Sequence, residues 1–278
     1  MIGPILECVE SGQNLTMDQM AQTVGFIMEG KATEDQISRL LVGLHKKGES
    51  VEEVAGAALA MRKHMTAIRA TREDIIDVVG TGGDASRTFN ISTAAALVTA
   101  AAGVPVAKHG NRAMTSRSGS ADVLVELGVN IEADVPVVES CLEELGICFC
   151  YAPLLHQAMK HVSHVRKKLG TPTLFNILGP LANPAGAAMQ LLGVSSPELQ
   201  KLLAEALLLL NCKRALVVHG DEGLDEVSLA GTTQVVEVQD DRQHAMEWNP
   251  EDFGMTPVSL DDLRVDGPAQ SAQRIRGI

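Results

Sequence analysis

The chain has 278 residues, a formal net charge of −12 from 35 acidic and 23 basic side chains, 45% hydrophobic residues and only 3% aromatics. At ~150 residues per domain this length suits two domains, or one large α/β domain with an appendage. The composition excludes a disordered chain, no apolar run reaches the ~18–20 residues of a membrane span, and the acidic balance argues against nucleic acid or anionic membrane as partner. The first ten residues carry Glu7 and Glu10 and no basic cluster, which is unlike a secretory signal. Five cysteines without a CxxC spacing predict neither a disulfide framework nor a zinc site. Together these features predict a cytoplasmic protein.

Residues 1–70 read as helical. Met20, Val24, Ile27 and Met28 recur at helical spacing, as do Ile37, Leu40, Leu41 and Leu44. Thr16, Thr33 and Ser50 are start signals, and Ser50 with Glu53 has capping-box spacing ahead of a helix over Val51–Met65. Three short helices are expected there. Arg69–Glu73 is the expected domain junction. The pattern then changes. Ile75–Val79 is a β-branched run ending on glycine, followed by an alanine-rich helix over Thr93–Ala102, a strand over Val104–Ala107 and a helix over Ala121–Leu127. A leucine-rich helix, Pro197–Leu210, precedes a strand at Ala215–His219, and Val235–Val238 reads as another. Strands alternating with helices predict an α/β fold with a mostly parallel sheet over residues 73–278, beside a small N-terminal helical domain.

The acids are unevenly spread. None occurs in the 37 residues between Asp84 and Asp122 or the 53 between Glu144 and Glu198, although lysines and arginines do. In proportion to composition these gaps should hold roughly 11 acids. Burial excludes charge of either sign, so the retained cations favour a pocket for an anionic ligand.

Three loops carry the chemistry. Gly80-Thr81-Gly82-Gly83-Asp84 lies between a strand and a helix that opens at Asn90-Ile91-Ser92-Thr93. Backbone N–H groups from a glycine turn and a helix N-terminus can cradle phosphate. It is neither a dinucleotide fingerprint nor a P-loop. Lys108-His109-Gly110-Asn111-Arg112, with Thr115, Ser116 and Ser120 beyond, follows the next strand, and the carboxyl ends of parallel strands are where ligands bind. Asp221-Glu222-Gly223-Leu224-Asp225-Glu226 offers hard oxygen ligands for a divalent cation such as Mg²⁺. Arg166, in an acid-free stretch, could hold the carboxylate of a second substrate.

These motifs, with Ser118–Asp122 and Asn176-Ile177-Leu178-Gly179-Pro180-Leu181, occur in an order that resembles the anthranilate phosphoribosyltransferases along nearly the whole chain. The resemblance implies an enzyme of tryptophan biosynthesis that joins anthranilate to phosphoribosyl pyrophosphate (PRPP). It implies a homodimer formed through residues 1–70, with a segment near 165–180 packed on that unit and the site at the hinge. It also implies that Gly80, Gly83, Asp84, Thr88, Asn90, Ile91, Ser92, Thr93, Lys108 and Ser120 contact PRPP, with the loop His109, Gly110, Asn111, Arg112, Ala113, Met114, Thr115 and Ser116 closing over it. Gly80, His109, Asn111 and Arg166 would meet anthranilate, Ser92, Asp225 and Glu226 would serve Mg²⁺, and Lys108, Asn111 and Arg166 would be the catalytic set. Family chains usually continue beyond the position of Ile278, so an exposed apolar face is expected here. An inactive scaffold of the same fold and a pyrimidine nucleoside phosphorylase-like enzyme are the alternatives.

Overall fold

The computed structural model describes residues 2–84, 86–113 and 118–278. Its N-terminal part is four helices: α1 (Gly3–Glu10), α2 (Met17–Met28), α3 (Glu34–Lys47) and α4 (Val51–His64). The sequence signals α2, α3 and α4 because each opens with a reciprocal capping box, Thr16 with Gln19, Thr33 with Gln36 and Ser50 with Glu53. The expected count of three is corrected to four. Helix α1 is only eight residues long and starts at Gly3-Pro4 with no side-chain cap, so it carries none of those signals.

Glu53 also ties the helices together. It is fully buried, and its Oε1 accepts the Leu15 N–H at 2.9 Å. Its Oε2 accepts the Ser50 N–H at 2.8 Å and Lys47 Nζ at 2.6 Å, while Lys47 donates onward to Asn14 Oδ1 and Gly48 O. A buried carboxylate with both oxygens occupied is stable where an unpaired one is not.

The remainder alternates strands and helices: β1 (Ile76–Gly80), α5 (Ile91–Ala101), β2 (Val106–Gly110), α6 (Ser120–Glu126), α7 (Val135–Leu145), β3 (Ile147–Tyr151), α8 (Ala152–Leu155), α9 (Lys160–Leu169), β4 (Met189–Gly193), α10 (Pro197–Leu209), β5 (Arg214–Gly220), β6 (Thr233–Gln239), β7 (Arg242–Trp248) and α11 (Pro268–Arg276). The strands form one sheet in the order β3-β2-β1-β4-β5-β6-β7. The first five are parallel, and β6 and β7 are antiparallel additions. The sequence reading missed β3, β4 and β7. It also ended the second strand too early, because pairing of Lys108, His109 and Gly110 with Phe149, Cys150 and Tyr151 extends β2 to Gly110. Lys108 and His109 therefore sit on a strand, not on the loop after it.

One apolar core joins the two parts. Val162 and Val165 of α9, Leu174, Leu178 and Leu181 pack with α1–α4, and the same cluster reaches Leu192, Leu203, Val217 and Val238. Among the described residues no helix is long and apolar enough to cross a membrane. Leu97, Val98, Val104, Val125 and Val129, on and beside α5 and α6, are exposed.

β1 is where the strand order reverses, since the chain leaves it toward β2 and β3 on one side and β4 and β5 on the other. Such a switch point opens a crevice at the carboxyl ends of the strands. Here β1 pairs with β4 over its whole length but with β2 only at Ile76↔Val106.

Candidate active site

Two glycines in the left-handed region, Gly82 (φ +70°) and Gly83 (φ +88°), turn the chain at the end of β1. Asn90 caps α5 by accepting the Thr93 N–H at 3.0 Å. The loop after β5 docks onto both features. Asp225 Oδ2 accepts the Gly82 N–H at 2.7 Å, and Glu226 Oε1 accepts the Ser92 N–H at 3.0 Å. The seat of Asp225 is made of glycine. A Cβ on Gly193 would lie 1.6 Å from Asp225 O, and one on Gly80 would lie 2.6 Å from Asp225 Oδ2. Two of the backbone donors expected to be open to phosphate are thus held by carboxylates.

Of the acids at 221–226, only the last two face the crevice. Glu222 Oε1 accepts the Ser228 hydroxyl, and Asp221 Oδ1 accepts Gln234 Nε2 at 3.3 Å. Burial, with Asp84 alongside, pushes the Asp225 carboxyl up to about 7. Burial and the neighbouring Asp225 push Glu226 up to about 8, against the pull of Lys108. Acids that resist ionising together are a fit for a hard divalent cation. Among the described residues no three His, Cys, Asp or Glu side chains form a complete ligand set. Asp225, Glu226 and Ser92 would therefore hold Mg²⁺ together with substrate oxygens and water, which is how that ion is usually bound.

Lys108 is buried. Its Nζ donates to Val78 O at 2.6 Å and to Ser92 Oγ at 3.0 Å, spanning from β1 to the start of α5. Burial lowers its pKa, against the pull of Asp77, Glu226 and Asp225. Asp77, also buried, accepts the His109 N–H on Oδ1 at 3.1 Å, and burial raises its carboxyl to about 6. The His109 ring is held at both nitrogens: Nδ1 lies 2.9 Å from Gly179 O and Nε2 lies 3.2 Å from His156 Nε2. Burial holds both rings neutral, lowering His109 to about 3 and His156 to about 4.

The other expected residues are more dispersed. Arg112 is turned to the base of its own loop, donating to Tyr151 Oη at 3.2 Å and Asp122 Oδ1 at 3.1 Å. Ala113 N–H is taken by Asp122 Oδ2, and Asn111 Oδ1 accepts the Arg112 N–H. Ser120 Oγ lies 3.5 Å from Asn111 O, and a Cβ on Gly110 would meet that hydroxyl. Thr88 Oγ1 pairs with Ser86 Oγ, and Ile91 opens α5. Arg166 stands apart on α9, where it donates to Asn176 Oδ1 at 3.1 Å and lies 5.8 Å from the centre of the Phe175 ring. Met114, Thr115 and Ser116 lie outside the described residues.

Sequence reasoning missed Asp77, His156, Asn183, Gly193 and Ser271. Asn183 Nδ2 donates to Ala107 O at 2.8 Å, and Ser271 Oγ accepts the Asn90 N–H at 2.8 Å. For Asp77 a signal existed, a lone acid inside a β-branched run. For Ser271, in α11, there was none.

Residues 72–278 match the model of the glycosyl transferase family α/β domain, and residues 3–65 match that of the same family's helical bundle domain. The chain is 50% identical over 267 residues to the anthranilate phosphoribosyltransferase of Rhodopirellula baltica, covering 96% of this chain and 78% of that one. With the Petrotoga mobilis protein of the same name it is 47% identical, covering 99% and 80%. Among solved structures, the anthranilate phosphoribosyltransferase of Thermus thermophilus superposes with a TM-score of 0.91 at 44% identity, over 98% of this chain and 80% of that one. The Saccharomyces cerevisiae enzyme in complex with PRPP and Mg gives 0.89 at 30% identity, over 99% and 80%.

Proposed function

This chain belongs to the family of anthranilate phosphoribosyltransferases, and from that premise we propose that it transfers the phosphoribosyl group of PRPP to the amine of anthranilate in tryptophan biosynthesis. The products are N-(5-phosphoribosyl)anthranilate and diphosphate. The observation that carries the reading is the meeting, beside the β1 switch point, of Asp225 on the glycine turn with Glu226 and Lys108 on Ser92 at the start of α5.

As diphosphate leaves C1, positive charge builds on the ribose and negative charge on the leaving group. The main catalytic requirement is therefore to stabilise the leaving group. Lys108 supplies a fixed ammonium at the crevice floor, where its two protein acceptors keep it oriented. The Gly82–Asp84 turn and the start of α5 supply the walls. Mg²⁺, when held by Asp225, Glu226 and Ser92, supplies charge neutralisation to the diphosphate. The anthranilate amine is neutral at physiological pH and needs alignment more than a base. The neutral His109–His156 pair suits that role, since neither ring draws a proton from the nucleophile. Arg166 and Asn111 are assigned to the anthranilate side, with Arg166 offered to its carboxylate.

The test follows anthranilate fluorescence with PRPP, with and without Mg²⁺ and with chelator. Metal-dependent loss of fluorescence is expected. Full retention by protein shown to be folded removes the reading. We also propose a homodimer built on residues 1–70, and light scattering should give twice the chain mass.

A further inference from the structure

In a parallel ladder, the rung after Ile76↔Val106 runs from the His109 N–H to the Val78 carbonyl. Here each half of that rung is bonded to a side chain instead. The His109 N–H goes to Asp77 Oδ1 at 3.1 Å, and Val78 O receives Lys108 Nζ at 2.6 Å. The Ala107 carbonyl of the same opened stretch receives Asn183 Nδ2.

Asp77 is an expensive choice for this position. It is 0% exposed, and its Oδ2 makes no hydrogen bond of ordinary geometry among the described residues, although the Asn183 amide and the Val78 N–H lie close enough to favour its charged form. The flanking Ile75, Ile76, Val78 and Val79 are what a central parallel strand prefers. A valine at position 77 would suit both the strand and its burial, and would leave the His109 N–H and the Val78 carbonyl to bond each other. The ladder would then close by one rung, and Lys108 would lose the acceptor that anchors it toward β1.

We propose that Asp77 is a positioning residue: by taking the His109 N–H it holds the β1–β2 ladder open, so that the Val78 carbonyl anchors Lys108 at the floor of the crevice. This rests on the reading of that crevice as the PRPP site. Asp77 acts through Lys108 and touches no substrate. The His109 ring is fixed separately by Gly179 O and His156, so the effect falls on the diphosphate side.

The experiment compares the full chain with Asp77→Val and Asp77→Asn by thermal unfolding, by calorimetric binding of PRPP with Mg²⁺, and by steady-state kinetics. Asp77→Val should melt no lower than the parent, bind PRPP at least about tenfold more weakly and turn over correspondingly slower, with the KM for anthranilate held within about twofold. Asp77→Asn, which keeps an oxygen for the His109 N–H, should bind PRPP within about threefold of the parent. The inference is overturned by an Asp77→Val protein that binds PRPP as the parent does, or by one that fails to fold, since Asp77 would then serve the fold. It is equally overturned if Asp77→Asn binds as weakly as Asp77→Val. A parent that binds no PRPP removes the reading of the site and this inference with it, whereas a binding parent matched by Asp77→Val removes the inference alone.

Discussion

Gly193 sits at the end of β4, where no side chain is needed for catalysis, yet Gly193→Ala should cripple the enzyme. The added Cβ would stand 1.6 Å from the backbone oxygen of Asp225. That is about 1.4 Å inside the closest approach such atoms make, and the clashing atom is backbone, so no rotamer change relieves it. Either β4 or the 221–226 loop must move by about that distance. Overpacking of this kind costs about 1–3 kcal/mol, which for a chain of this size lowers the melting temperature by several degrees. The same movement pulls Asp225 Oδ2 off the Gly82 N–H, where it now lies at 2.7 Å. A misplacement of about 1 Å at a reacting centre can cost about a hundredfold in rate, so a loss of at least that size is expected. Gly80→Ala is the internal control. Its Cβ would lie 2.6 Å from Asp225 Oδ2, the movable end of a side chain. It should leave the melting temperature nearly unchanged while still weakening PRPP and Mg²⁺ binding. Thermal unfolding and the fluorescence assay read both variants. Parental stability and turnover in Gly193→Ala would falsify the geometry on which Asp225 is seated.

Lys108→Met removes the ammonium but keeps the stem. It should cut turnover by about 10²–10³-fold, while leaving Val78 O unpaired should cost only about 1–3 kcal/mol in urea unfolding. A normal rate would end the electrostatic role given to Lys108. Glu53→Ala takes the counter-charge from the buried side chain of Lys47 and frees the Leu15 and Ser50 N–H groups, and should cost about 3–5 kcal/mol; a loss below about 1 kcal/mol would contradict the buried network. Asp225 and Glu226 titrate in the folded protein near 7 and 8, above their ordinary values. Between the usual carboxylate range and those values the folded chain holds protons that the unfolded chain has released, so metal-free stability should fall as pH rises through that window. Mg²⁺ binds the deprotonated pair, so its stabilising shift should grow from about pH 6 to about pH 8.5, and Glu226→Gln should flatten the trend. A shift independent of pH would place the cation elsewhere.

The capping residues Thr16, Thr33 and Ser50 made α2–α4 readable because capping is local: donor and acceptor lie three residues apart. The run at Ile75 and the glycines after it were readable for the same reason. What could not be read depends on partners far along the chain. Lys108 and His109 are strand residues because β3 pairs with them, and β3 begins 37 positions beyond β2's end. Which acids of 221–226 face the crevice is decided by Ser228 and Gln234, which draw Glu222 and Asp221 away, and by glycines on β1 and β4 that admit Asp225. Arg112 looked like a phosphate ligand by its neighbours in sequence, but Tyr151 and Asp122 hold its fork in this structure.

The charge at the crevice runs opposite to the simplest reading of the acid-free segments. Those segments were expected to form a positive pocket. In the structure Asp77, Asp225 and Glu226 lie around one buried ammonium, Lys108, with Asp84 beside Asp225, while Arg112 and Arg166 are bonded elsewhere. Once Asp225 and Glu226 are ionised, a polyanion brought alone into that field meets more repulsion than attraction, and burial strengthens both. The balance reverses only when divalent cations arrive with the diphosphate, because Asp225 and Glu226, which repel the anion alone, then hold its counter-ions. The absence of acids from 85–121 and 145–197 acquires a different physical meaning on this account. It keeps further carboxylates out of these segments, so that none from them competes with the diphosphate for a cation held by Asp225 and Glu226.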